Sequence, residues 1–329
     1  PYPAEYTFQN KYGDCKDKAI LLNRMLSYCK IDAKSVLIHT RDSWEVNDKF
    51  VGDQFNHAIS AISVSGVEEN DALRTVTLHD GKYVLFDPTN PNVPFGELPW
   101  YDEDVPVLIL DGENSVLLRS PAREAKANGY QNFSKFHLIN SGALTGDMAL
   151  SSQGNYAHRL TGRLKEEGSF DEIVKDYVLP FLPGSIIKEY SIDDSDGRAN
   201  TKKLFISFEA PENKKYLKKI IPFEIKLYKS NKYSFDASKV SDFYFNSPYS
   251  ITDTVSVLLD DEYSILEIPE DIYFSNTVGE YHAEFLSDIK SCRMTTTFTV
   301  SDRHIREEYY SELKELFNVS MKGERSILL

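Results

Sequence analysis

From about Tyr130 onward the chain is written in short runs closed off by turn-forming residues: FHLINSGALTGDMAL, GSIIKEYSI, KKLFISFEA, IIPFEIKLY, ITDTVSVLL and MTTTFTVS. Within them apolar and polar residues alternate. Period-two alternation puts successive side chains on opposite faces of a strand, so a chain of such runs is constrained to half-buried antiparallel sheet. Two helices are predicted to interrupt it. In SFDEIVKDYVLPFL, Ser169 to Leu182, Ser169 stands three residues before Glu172, the spacing of a capping box. SDRHIREEYYSELKELFN, Ser301 to Asn318, is the second and closes the chain. Residues 129–329 are therefore expected to form a mostly antiparallel β domain with two helices, one of them C-terminal.

Residues 1–128 have a mixed texture. DKAILLNRMLSYC, Asp17 to Cys29, carries Ile20, Leu21, Met25 and Leu26 at helical spacing, with Cys29 closing the apolar face and expected to be buried. KSVLIHT, FNHAISAISV, LRTVTLHD, KYVLFDPT and VPVLILDG read as strands. Asp80-Gly81 predicts a tight hairpin turn. The polar stretch Arg41 to Gln54, with Trp44 in it, and the proline-rich NPNVPFGELPW read as loops.

Bulk properties narrow the function. A chain of 329 residues suggests two domains, and 41% hydrophobic with 27% charged residues suits a globular protein with a real core. Net charge is −14, against a nucleic-acid partner, which needs a basic face. The lysine-rich KKYLKKI, Lys214 to Ile220, reads as a solvated edge. No apolar run is long enough to span a bilayer as a helix. Cys15, Cys29 and Cys292 form neither a disulfide framework nor a zinc spacing, so no metal or other cofactor is expected.

Cys15 is the exception to blandness. In KYGDCKDKAILL it follows a Gly-Asp break in an extended segment and stands where the helix begins. Unpaired backbone N–H groups and the positive end of the macrodipole stabilise a thiolate there, and the thiolate is the nucleophilic form. A nucleophile needs a base, and the base an orienter. His57, near the start of FNHAISAIS, and Asp87, at the end of KYVLFDPT, are the candidates. Two neighbouring strands can bring imidazole and carboxylate within hydrogen-bond reach.

YGDCKDKAILL, FNHAISAI and YVLFDPTNPNVPFGELP resemble the Cys, His and Asp motifs of the transglutaminase-like superfamily. They are most similar to bacterial proteins whose transglutaminase-like core is flanked by β-rich domains of unknown function, of the DUF3857/DUF3858 type. The resemblance implies an α+β chain: a papain-like core at 1–128, in which a helix bearing the cysteine packs on an antiparallel sheet, then the β domain. It implies Cys15 as nucleophile, His57 as general base and acid, and Asp87 as orienter, in acyl transfer at an amide carbonyl through a thioester. Hydrolysis of a peptide or isopeptide-type bond is the leading expectation. The resemblance further implies a peptide or protein substrate, with a cell-envelope component as one option. It also implies a periplasmic or extracellular location and a further N-terminal β-sandwich domain in the full-length protein.

The oxyanion formed on attack requires donors. The Cys15 backbone N–H is one, and Gln9, six residues upstream, is a side-chain candidate by its resemblance to the papain spacing. Trp44 is a candidate wall of the substrate cleft. Asp14 and Asp17 are explained by helix capping, and the side chain of Asn56 is expected to face away. Two other readings compete: a catalytically silent scaffold whose β domain binds a protein or glycan, and a zinc hydrolase with Cys15, His57 and Asp87 as ligands.

Overall fold

The predicted hairpin is present, shifted by one residue: Leu78 pairs with Gly81 across the two-residue loop His79-Asp80. In this computed structural model the described residues are 1–40, 46, 54–66, 73–166, 169–179, 184–193, 201–210, 222–223, 241–323 and 327–328. They fall into two units, Pro1–Arg123 and Glu124–Leu329.

The first unit begins with helices α1 (Ala4–Asn10) and α2 (Cys15–Tyr28). Six strands follow: β1 (Ala33–Ile38), β2 (His57–Ser63), β3 (Thr75–Leu78), β4 (Gly81–Phe86), β5 (Pro106–Leu110) and β6 (Val116–Arg119). They make one antiparallel sheet ordered β3-β4-β2-β1-β5-β6. Val36 and Ile38 of β1, Ile59 and Ala61 of β2, Leu85 of β4, and Val107 and Ile109 of β5 form its core with Leu98 and Val105. Each such Val, Leu or Ile side chain withdrawn from water contributes about 1.5–3 kcal/mol, and Ala61 less. Strand β2 is buried at five successive positions, because β1 and β4 flank it and α2 lies against it.

This architecture corrects the expected α+β class with a papain-like transglutaminase core. Strand outweighs helix, 42% to 25% among the described residues, and large sheets organise both units. The physical reason lies in α2. Only Asp17 and Ala19 of this helix are buried. Met25 is half exposed and Cys29 is exposed, against the expectation that Cys29 closes a buried face. No α2 residue joins the core cluster, so the sheet and the loops over it supply the hydrophobic stabilisation. The segment before Gly13, expected to be extended, is α1.

The second unit contains β7 (Gly129–Leu138), β8 (Leu144–Gln153), α3 (Asn155–Lys165), α4 (Ser169–Val178), β9 (Ile186–Asp193) and β10 (Thr201–Ala210). Two short strands follow, β11 (Pro222–Phe223) and β12 (Phe243–Tyr244). Then come β13 (Tyr249–Leu259), β14 (Ile272–Ser275), β15 (Gly279–Ser287), β16 (Ser291–Val300), β17 (His304–Ile305), α5 (Tyr310–Gly323) and β18 (Ile327–Leu328). Eight strands form a sheet ordered β14-β15-β16-β13-β7-β8-β10-β9, in which only the β13–β7 pair is parallel. Burial alternates residue by residue along β10 and β13, as the sequence pattern requires. The buried face packs against Val174 and Val178 of α4 and against Leu313, Leu316 and Phe317 of α5. On the other face hydroxyls pair across β13 and β16: Ser250 with Thr299 at 3.0 Å and Thr252 with Thr297 at 3.2 Å.

Helix α3 is a third helix in a unit expected to hold two. The closing helix starts at Tyr310, not Ser301, because His304 and Ile305 pair with β12 and Glu307–Tyr309 form a 3-10 turn. Lys214 to Ile220 and most of Arg41 to Gln54, Trp44 included, lie outside the described residues.

Candidate functional site

The chain Gly13-Asp14-Cys15 is shaped by the approach of α1 to α2. A β-carbon on Gly13 would sit 2.7 Å from Asp17 Cβ and 2.9 Å from Thr7 Cγ2, so glycine lets the helices close up. Asp14 is the N-cap of α2. Its carboxylate accepts from the Asp17 N–H at 3.2 Å, and the Asp17 carboxylate accepts from the Asp14 N–H at 3.1 Å, a reciprocal capping box. The buried Asp17 also accepts from the Tyr2 N–H at 2.7 Å, tying the start of α1 to the start of α2. Cys15 is thereby fixed as the first residue of α2, half buried, with its N–H lacking an intrahelical partner by position.

His57 is the first residue of β2, and Asp87 follows directly on β4, its neighbour in the sheet. The structure brings them together: Nε2 of His57 lies 3.2 Å from Oδ2 of Asp87. The contact is an ion pair only when the imidazole is protonated. Asp87 is 2% exposed. Its Oδ1 accepts from the Thr89 N–H at 2.8 Å and the Thr89 hydroxyl at 2.7 Å, and the Tyr101 hydroxyl donates to Oδ2 at 3.4 Å. Burial alone would raise the Asp87 carboxyl, but His57 and Thr89 outweigh it and hold the group below its ordinary value. Burial, with the neighbouring acids Asp87 and Asp102, pushes the Tyr101 phenol up to about 12, so it stands there as a neutral donor.

The other expected site residues are placed less closely. Helix α2 lies against β2 and β1, and Asn23 of α2 donates to the Ser35 hydroxyl at 3.2 Å, but no hydrogen bond joins the Cys15 thiol to His57 among the described residues. Gln9 is exposed on α1. Asn56 is exposed and spends its amide on Thr40, donating to its carbonyl and accepting from its N–H.

Sequence reasoning missed Asp102. This residue ends a 3-10 turn, Trp100–Asp102, and is fully buried. One ligand atom each from His57, Asp87 and Asp102 lie within 4.8 Å of one another. Cys15 is not part of this group. The only signal in sequence was the acidic run in WYDEDVP between aromatic and apolar residues, which reads equally well as a surface turn.

A buried ionic network fixes that turn. Arg123 donates to Glu103 at 2.7 Å, pairs with Glu97, and reaches the Leu98 carbonyl at 3.3 Å. Arg74 joins Glu97 at 3.3 Å. The Ser120 hydroxyl donates to the Asp102 carbonyl at 2.6 Å. A second group, His79, Asp80 and Asp111, gathers with Lys34 at the far end of β1 from His57. In the second unit a groove of about 740 Å³ opens on the eight-stranded sheet, lined by Lys135, His137, Asp147, Lys188, Glu209 and Arg293 among others.

The sequence model of the family described as "Domain of Unknown Function with solved-structure structure (DUF3858)" matches residues 213–329. No curated protein matches the chain. Among solved structures, a protein from Parabacteroides distasonis ATCC 8503 described as a "putative protease" is similar over 99% of this chain, with 9% sequence identity and a TM-score of 0.51. The chain spans 45% of that structure's length. A likeness at this identity is one of fold.

Proposed function

We propose that the first unit carries a cysteine-dependent acyl-transfer site acting on an amide carbonyl, with hydrolysis of a peptide or isopeptide-type bond as its reaction. The observation that carries the reading is the pairing of His57 Nε2 with buried Asp87. It leaves Nδ1, the other ring nitrogen, free to act as base, with its tautomer set by the carboxylate. The position of Cys15 at the start of a helix lying against β2, the strand that begins with His57, supports it.

In this reading His57 takes the Cys15 proton and the thiolate attacks the carbonyl carbon, forming the C–S bond and an oxyanion. The Cys15 N–H is one oxyanion donor and Gln9 the candidate side-chain donor. Collapse breaks the C–N bond, and the proton on His57 leaves with the amine. Water, losing its proton to His57, then attacks the thioester and releases the acid and the thiol. The description of the Parabacteroides distasonis neighbour agrees with a peptidase but assigns no residue.

The test is p-nitrophenyl acetate and intact-mass analysis. An acetyl group is expected on Cys15 during turnover, absent in Cys15→Ser and slow to form in His57→Ala. Acetylation confined to lysines, unchanged in both variants, would remove the reading. The groove on the eight-stranded sheet favours one alternative, a scaffold whose β unit binds a partner. In that case Cys15→Ser would leave partner binding intact.

A further inference from the structure

We propose that Asp102 is a positioning residue of this site, present as a neutral carboxylic acid that donates its proton to Asp87 and so holds that carboxylate against His57. The inference rests on the acyl-transfer reading for its consequence but not for the protonated pair itself.

The argument begins with burial. Asp102 is 0% exposed and Asp87 2%, and their carboxyl oxygens lie within 4.8 Å of each other. Two carboxylates this close in a water-poor place do not both stay ionised unless a cation compensates them. The charged and titratable groups around Asp102 supply none to spare. Asp87 and Glu103 are acidic and Tyr101 is neutral. His57 already faces Asp87, and Arg123 and Arg74 are engaged with Glu97 and Glu103.

Neither oxygen of Asp102 receives a hydrogen bond among the described residues. An ionised carboxylate left without donors in the interior is strongly disfavoured. A protonated one has a donor of its own, and Asp87 is the acceptor beside it. Burial first, then Asp87, push the Asp102 carboxyl up to about 9, in the same direction. On Asp87 the roles divide cleanly. Thr89 occupies Oδ1, while Oδ2 faces His57 and Tyr101. A proton from Asp102 completes the shell of a carboxylate whose orientation sets the ring nitrogen that faces substrate.

The turn is built to hold this acid still. The Asp102 N–H donates to the Pro99 carbonyl at 2.9 Å, and its own carbonyl accepts from Ser120. The same three groups, His57, Asp87 and Asp102, are the set a divalent cation would take with both acids ionised. A bound cation and a shared proton are mutually exclusive.

Infrared spectroscopy of isotope-labelled protein separates them. Because burial also raises the carboxyl of Asp253 on β13, the comparison is made in an Asp253→Asn background. At neutral pH that protein is expected to show the C=O stretch of a protonated carboxyl, lost when Asp102→Asn is added and retained when Cys15→Ser is added. Alkylation of Cys15 by iodoacetamide should slow by about tenfold or more in Asp102→Leu, and stay within about threefold of wild type in Asp102→Asn, whose amide can still donate. No protonated carboxyl at neutral pH, or one stoichiometric divalent metal by elemental analysis of the purified protein, overturns the proposal. So does a protonated carboxyl that survives Asp102→Asn. If instead Cys15 is no more reactive than Cys29 while the carboxyl signal behaves as expected, the acyl-transfer reading fails and the protonated pair stands.

Discussion

Nε2 of His57 and Oδ2 of Asp87 meet at 3.2 Å because the first residue of β2 and the residue after β4 lie on adjacent strands of one sheet. If that contact orients the base, Asp87→Asn should leave the fold intact and slow p-nitrophenyl acetate turnover by about a hundredfold or more. Single-turnover acetylation of Cys15 is the measurement, with circular dichroism as the control for folding.

The two buried acids predict opposite pH behaviour. A carboxyl raised by folding keeps its proton in the folded state while the unfolded chain releases it. Stability from Asp102 is therefore full below about pH 4 and declines as pH rises toward about 9. Asp87 is lowered by folding, so its contribution is present above about pH 4 and lost as pH falls. Asp102→Asn should flatten the decline of stability above pH 4, and Asp87→Asn should weaken the loss in acid. Hydrogen exchange of β2 and β4 against pH reads both.

Asp253 offers the same test in the second unit. It is buried on β13 beside Asn132 of β7, and burial pushes its carboxyl up to about 7. Asp253→Asn should stabilise β7 and β13 relative to wild type above about pH 7 and change little at pH 4, as read by amide protection.

Removing Arg123 leaves Glu97 and Glu103 buried with one fewer cation. Arg123→Met should cost about 3–5 kcal/mol of the first unit's stability. Chemical unfolding followed by Trp fluorescence, with hydrogen exchange of β5 to localise the effect, checks it.

Gly129 starts β7 at φ 150°, and a β-carbon there would lie 1.8 Å from the Ser250 carbonyl oxygen of β13. Gly129→Ala should therefore open the parallel β7–β13 pair at its first rung. Loss of amide protection at Ser250 and its neighbours, with β15 unaffected, is the expected result.

Local chemistry was legible in the sequence and global balance was not. Gly13, Asp14 and Asp17 announced a capped helix because each acts on atoms within a few residues. Asp80-Gly81 announced its hairpin, to within one residue, for the same reason. The alternation in KKLFISFEA and ITDTVSVLL gave β10 and β13 their faces directly. The apolar spacing of α2 misled, since Met25 and Cys29 are exposed: periodicity identifies a helix face but not what covers it. Helix α3 was passed over because NYAHRLTGRLK holds few large apolar residues. Asp102 was invisible because burial of an acid depends on Arg74, Glu97, Glu103 and Arg123 folding around its turn, contacts that span the unit.

The central claim is that His57 activates Cys15, and relative alkylation rates test it most directly. Exposure alone ranks the thiols Cys29, Cys15, Cys292, and burial pushes the Cys292 thiol up to about 11. The account predicts that iodoacetamide at neutral pH modifies half-buried Cys15 about tenfold or more faster than exposed Cys29, and that His57→Ala abolishes the advantage. Cys29 reacting first in both proteins, with Cys15 indifferent to the loss of His57, would contradict it.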